Sequence, residues 1–283
     1  MIQKTRITKP DSWKSGTSIT ITTSNKTDMD LEAIKEAGIN CIELAWNNKD
    51  VNIFEPKNNR YFAHLVQQAR CLGIQVWTIH LPFGSEWDIS VMDEQERQSI
   101  IQKHLQLLQF ASEWGIHMAV IHPSFEAILD EERKERIRCC KDALMILSEQ
   151  AQQMDIQIAV ECLPRTCLGN KSSEMEELIE GNELVGICCD VNHLLYEKPE
   201  HFIQKLGSRI ITVHISDYDG IDEKHWEPGE GINDWNKIIS VLVEKGYGGP
   251  FMFEVSNPEP LQLTQCWHRL LNDYEKKSET EWT

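Results

Sequence analysis

Short apolar runs alternate with longer amphipathic stretches along most of the chain. The runs from Ser18 to Thr23, Asn40 to Ala45, Gln75 to His80 and Met118 to His122 are rich in β-branched or other apolar residues and read as strands. Gln157 to Glu161, Val185 to Asp190, Ile210 to His214 and Phe251 to Val255 continue the series. Between them, Asp28 to Gly38 places Leu31, Ile34 and Ala37 at helical spacing, and helices are also expected over Asn58 to Gly73, Asp93 to Trp114 and Asp130 to Gln153. Shorter helices fit Ser173 to Glu180, Pro199 to Leu206 and Asp234 to Lys245, before a last amphipathic helix from Leu261 to Tyr274. Residues 1–16 form a polar leader, and 275–283 a polar tail expected to fray.

Eight strands alternating with helices predict an α/β chain folded as one (β/α)8 TIM barrel over residues 1–283. Strands three to eight end in His80, His122, Glu161, Asp190, His214 and Glu254. A closed parallel barrel brings those ends to one face, whereas an open doubly wound sheet would spread them along an edge.

Charge and cysteine usage narrow the setting. The formal net charge of -17 weighs against nucleic acid as a partner. No run has the length or apolarity of a signal or a membrane span, so a soluble cytoplasmic protein is expected, with no membrane partner. The nine cysteines include the adjacent pairs Cys139-Cys140 and Cys188-Cys189, which fit reduced thiols better than a disulfide framework. None forms a Cys-x-x-Cys pair, so a thiolate zinc site is not expected.

Five motifs carry a resemblance that covers nearly the whole chain: Ala159-Val160-Glu161, Cys189-Asp190-Val191-Asn192-His193, Val213-His214-Ile215-Ser216-Asp217, Pro228-Gly229-Glu230-Gly231 and Phe253-Glu254. With them the chain resembles the xylose isomerase-like TIM-barrel superfamily, whose sugar isomerases, epimerases and dehydratases are related to endonuclease IV. The resemblance implies a metal held by Glu161, Asp190, His214 and Glu254. Three carboxylates and one imidazole make a hard, anionic donor set, suited first to Mn²⁺ and then to Mg²⁺ or Co²⁺. It further implies a sugar isomerase or epimerase that abstracts a proton next to a carbonyl through a metal-stabilised enediolate. Glu161 and Glu254 would be the acid-base pair, and His193 a contact to a substrate oxygen. A small sugar or sugar derivative is the expected partner, and a homo-oligomer is compatible with it.

Three other readings stay open. His80, His122, His225 and Glu223 could complete the roster of a trinuclear zinc phosphodiesterase of the endonuclease IV kind, with Glu223 and His225 on an additional metal. The chain departs from that enzyme at Glu223, where an aspartate is expected two residues before His225. A lyase or dehydratase would use the same base and eject a leaving group, and a non-catalytic sugar-binding or partner subunit would turn nothing over.

The loops favour a sugar pocket. Trp46, Phe83, Trp87 and Trp226 follow strands two, three and seven, where aromatic faces could pack on a sugar or form a lid or subunit contact. His80, His122 and His225 are candidates for the pocket lining. Arg165 is placed to hold a phosphate or carboxylate, or to stay solvated. Glu43 faces the same rim with an open role. Pro228 to Gly231 shape a loop and donate no chemistry. His64, His104, His117, His201 and His268 read as structural.

Overall fold

The computed structural model describes residues 9–22, 26–47 and 49–280, with side chains described as far as residue 277. Residues 1–8 of the leader, Thr23 at the expected end of the first strand, and 281–283 of the tail lie outside the described residues.

The strands are β1 (Ser15–Ile21), β2 (Cys41–Trp46), β3 (Gln75–His80), β4 (Met118–Ile121), β5 (Gln157–Glu161), β6 (Val185–Asp190), β7 (Ile210–His214) and β8 (Phe251–Phe253). They alternate with α1 (Leu31–Glu36), α2 (Pro56–Cys71), α3 (Glu94–Glu113), α4 (Asp130–Gln153), α5 (Ser172–Ile179), α6 (Pro199–Leu206), α7 (Trp235–Glu244) and α8 (Pro260–Thr280). All strand pairs are parallel, in the order β7-β6-β5-β4-β3-β2-β1-β8. Ile215 nearly closes the ring: its N–H donates to the Met252 carbonyl at 2.8 Å, and its carbonyl accepts from the Glu254 N–H at 3.0 Å. The expected single-domain TIM barrel is therefore the observed fold.

Several boundaries differ from expectation by a few residues, and the starts of β1 and α1 do so for local physical reasons. β1 starts at Ser15, inside the polar leader, because Gly16 lets three strands approach closely; a Cβ there would lie 2.9 Å from Met252 Cε and 3.2 Å from the Cys41 carbonyl. α1 starts later than Asp28, since that carboxylate accepts from the Thr20 N–H at 2.9 Å and Asp30 caps the helix by accepting from the Ala33 N–H at 3.1 Å. α8 runs on to Thr280, past the expected stop at Tyr274 and through part of the expected tail.

Below the mouth, Val120, Ala159 and Cys188 form a small apolar cluster of their own, separate from the large core between sheet and helices. The two-residue pleat then places His122, Glu161 and Asp190 one step further along the same face. The barrel thus delivers polar side chains onto an apolar floor, where each must find a partner. All nine cysteines are free, and no helix among the described residues is long and apolar enough to cross a membrane.

Candidate metal centre and active site

His80, His122, His193, His214 and His225 meet a larger set of acids at the mouth. Glu161, at the end of β5, is 1% exposed and lies at the centre. Its Oε2 is 3.1 Å from His80 Nε2 and 3.0 Å from His122 Nε2, while Oε1 is 3.2 Å from His214 Nδ1 and 3.3 Å from His193 Nδ1. Burial alone would raise its pKa, but the imidazoles of His214 and His122 hold it well below the usual carboxylate range.

His214, fully buried at the end of β7, faces acids on both sides. Nδ1 is 2.8 Å from Glu254 Oε2, and Nε2 is 3.1 Å from Glu43 Oε1. Burial would push this ring towards neutrality; the surrounding Glu43, Glu254 and Glu161 outweigh it and raise its pKa well above the usual histidine value. His80 follows the same logic. Burial opposes its charge, yet Glu161 pushes the pKa up to about 9, which agrees with a ring that faces the Leu81 carbonyl through Nδ1 and Glu161 through Nε2. His122 differs, since burial prevails and its pKa is lowered.

Glu161, Asp190, His214 and Glu254 each bring one ligand atom into a group whose members all lie within 4.8 Å of one another. Whether a cation fits can be tested on the oxygens themselves. Asp190 Oδ2 and Glu254 Oε2 are buried and accept no well-aligned hydrogen bond, their nearest cations being His193 Nδ1 at 3.3 Å from the first and His214 Nδ1 at 2.8 Å from the second. Burial raises Asp190 to about 6, with His193 opposing and the charges of Glu254 and Glu161 adding to the rise. Crowded, buried carboxylate oxygens are a donor set that suits a hard divalent ion. His193, Glu223 and His225 form a second group of the same tightness, and His80, Glu161 and His214 a third.

The geometry and the motif matches lead to the same place. A family model described as xylose isomerase-like TIM barrel matches residues 31–273. The chain belongs to this family. An inosose isomerase of Halalkalibacterium halodurans is 28% identical over 187 residues, covering 61% of this chain and 64% of that protein. The L-ribulose-5-phosphate 3-epimerase UlaE of Escherichia coli O157:H7 is 21% identical over 229 residues, with 80% of each chain covered. A crystal structure of a D-tagatose 3-epimerase-like protein superposes with a TM-score of 0.77 at 22% identity, over 93% of this chain and 99% of that one. The relatives of this xylose isomerase-like chain thus include sugar epimerases and isomerases.

Two adjoining cavities open over the centre, of about 540 and 180 Å³, and share His80, Phe83, Phe125, His225 and Glu254 as walls. Trp46 lines the larger one with its ring packed edge-on to Phe62 at 5.2 Å. Phe83 is 52% exposed and stacks over His122 at 4.7 Å. The smaller cavity is lined by His122, Glu161, His193, Glu223 and Arg165.

Two aromatics expected on the pocket lie outside these two cavities. Trp87 is buried in the wall, stacked on Phe54 at 6.4 Å and edge-on to His104 at 5.3 Å, because a single 3-10 turn over Ser85–Trp87 turns the chain inward. Trp226 pairs by its backbone with Asp217 and lines a neighbouring cavity with Pro258 and Glu259, which shares His225, Val255 and Ser256 with the larger one. Asp217 organises that loop by accepting from the N–H groups of Tyr218, Gly229 and Asn233 and from Trp235 Nε1. The loop then carries Glu223 and His225 to the mouth, His225 in a left-handed conformation at φ 52° with Nδ1 3.1 Å from the Glu254 carbonyl.

Sequence reading left Glu43 without a role. The structure buries it completely beside His214, with Thr78 Oγ1 donating to Oε2 at 2.7 Å. Its signal was a carboxylate inside the otherwise apolar run Cys-Ile-Glu-Leu-Ala-Trp, where an acid must have a partner. Glu126 and Phe125, in the loop after His122, sit in no pattern that would have marked them.

Proposed function

We propose that this chain is a divalent-metal-dependent sugar isomerase or epimerase that moves a proton on a carbon next to a carbonyl. The observation that carries the reading is the convergence of three carboxylates and one imidazole, Glu161, Asp190, Glu254 and His214, on one point, with buried oxygens of Asp190 and Glu254 that accept no well-aligned hydrogen bond. These residues would hold one ion, Mn²⁺ for preference and Mg²⁺ or Co²⁺ as substitutes. When bound, it would polarise the substrate carbonyl and offset the negative charge that develops as the neighbouring proton leaves.

The chain's own residues account for the rest. Glu161 and Glu254 come from β5 and the end of β8, the two flanks of a four-strand arc, so they approach a substrate from different sides. One removes the proton and the other returns it, with substrate configuration deciding which acts first. His80 and His122 both reach Glu161 Oε2 and hold that carboxylate at a fixed point. His193 and His225 reach substrate oxygens, while Phe83 and Trp46 give a sugar an apolar wall. Arg165 lines the smaller cavity but has its guanidinium on Glu126, Asp222 and Glu223, which supports an uncharged sugar over a phosphorylated one.

A panel of keto-sugars incubated in deuterium oxide with Mn²⁺-loaded protein tests this. Deuterium should enter one sugar at the carbon beside the carbonyl, and Glu161→Gln should stop it while the barrel stays folded. Exchange that persists in that variant would remove Glu161 from the mechanism, and no exchange with any sugar would favour a non-catalytic subunit. A dehydratase would show itself by loss of water in the product. The His193, Glu223 and His225 group favours one second reading, a polynuclear zinc phosphodiesterase, for which cleavage of abasic DNA by zinc-loaded protein is the deciding outcome. The free cysteines support a cytoplasmic setting.

A further inference from the structure

Arg165 stands where the mouth's negative charge is densest outside the four-residue centre. Its backbone is left-handed at φ 50°, and its guanidinium is aimed at three acids on two other loops. Nε lies 2.9 Å from Glu126 Oε2, and Nη2 lies 2.8 Å from Glu126 Oε1. Nη1 reaches Asp222 Oδ1 at 2.7 Å, and Nη2 also reaches Glu223 Oε1 at 2.8 Å. The other oxygen of Glu223 is 3.1 Å from His193 Nε2, so that one carboxylate joins the arginine to the His193, Glu223 and His225 group.

Two imidazoles and a carboxylate at this spacing are a donor set for a borderline cation such as Zn²⁺. An ion there would have to share Glu223 with a permanent positive charge hydrogen-bonded to the same carboxylate. Like charges this close repel strongly in a partly buried site, and a guanidinium cannot shed its proton to relieve the repulsion. Hydrogen bonds to Asp222 and Glu126 as well hold the guanidinium in place beside Glu223.

We infer that the Arg165 guanidinium is a built-in counter-cation that takes the place of a second metal at His193, Glu223 and His225 and keeps the chain mononuclear. The inference rests on the proposal that Glu161, Asp190, His214 and Glu254 hold the one ion. It makes Arg165 a determinant of metal count, and therefore of which chemistry the mouth supports, without a contact to the reacting atoms.

The test is zinc content per chain, read by elemental mass spectrometry after Zn²⁺ loading and dialysis, with thermal melting by circular dichroism as the folding control. Wild type should hold about one zinc, lost in His214→Asn, and Arg165→Gln about two, the second lost when His225→Asn is added. Arg165→Met, apolar and of similar length, serves if the Gln variant does not fold. A wild-type chain that takes up a second zinc removable by His225→Asn overturns the inference, and so does an Arg165 variant that stays at one. If wild type holds none while Arg165→Gln holds one that His225→Asn removes, the four-residue centre fails and the role of Arg165 stands. A single wild-type zinc lost in His225→Asn and kept in His214→Asn overturns both.

Discussion

Two histidines of this chain are both wholly buried and have opposite chemistry. His214 ends β7 among Glu43, Glu161, Asp190 and Glu254, and its pKa is raised well above the usual histidine value. His104, on α3, has Nε2 3.1 Å from the Trp87 carbonyl and an unpartnered Nδ1, and burial, with nearby Lys103 adding to it, pushes its pKa down to about 4. Burial disfavours the charged ring at both sites. The carboxylates delivered by neighbouring strands reverse its effect at the mouth, and nothing reverses it in the wall. The acids around a buried histidine therefore decide whether its ring is held charged or neutral.

Breaking the mouth's side of this contrast should have the largest effect. Glu161→Gln keeps the shape of the carboxylate and removes its charge, and should cost about 10³-fold in deuterium exchange with little change in melting temperature. Next comes the acid behind the ring. Glu43→Gln weakens the hold on His214 Nε2, and titration calorimetry should show Mn²⁺ bound about 10- to 100-fold more weakly. An unchanged affinity would leave Glu43 as a packing residue.

The wall's side is sharpened by pH. The folded pKa of His104 lies at about 4, below its ordinary 6.5, so the unfolded chain binds the extra proton first as pH falls. Stability contributed by the neutral ring is complete above about pH 7 and is lost as pH drops from 6.5 towards 4. Urea unfolding at pH 5 and pH 7 should show wild type losing about 2 kcal/mol more than His104→Gln over that interval. Equal losses would mean that this ring does not set the acid side of the stability curve. The smallest effect concerns the aromatics: Phe83→Ala should raise KM about 3- to 10-fold, since its ring is exposed over His122. Trp87→Phe should leave KM unchanged, because Trp87 packs in the wall beside His104.

Much of the fold was legible in the chain itself. β5 and β6 were readable to the residue because apolar runs ended on Glu161 and Asp190, and α6 because Pro199 opens it and Gly207 follows its last residue. β1 was not, because Ser15-Gly16-Thr17 is a strand by virtue of close backbone approach, which leaves no hydrophobic pattern. The same division runs through the site. Residues at strand ends could be found by counting, but Trp87 and Trp226 could not be placed, since loop backbones set their direction without a repeating period.

Taken alone, the sequence determined the barrel and the face on which its strand-end acids and histidines gather, and it singled out the four residues proposed as metal ligands. A period of two along each strand, and parallel strands of similar length, are enough for that. Only the tertiary structure decided which partner each side chain has. Glu43 lies against His214 from five strands away in chain order, and Arg165 lies against Glu126, Asp222 and Glu223 on two other loops. Such pairings depend on distances between loops that closure of the ring alone sets, and they decide which buried groups carry charge.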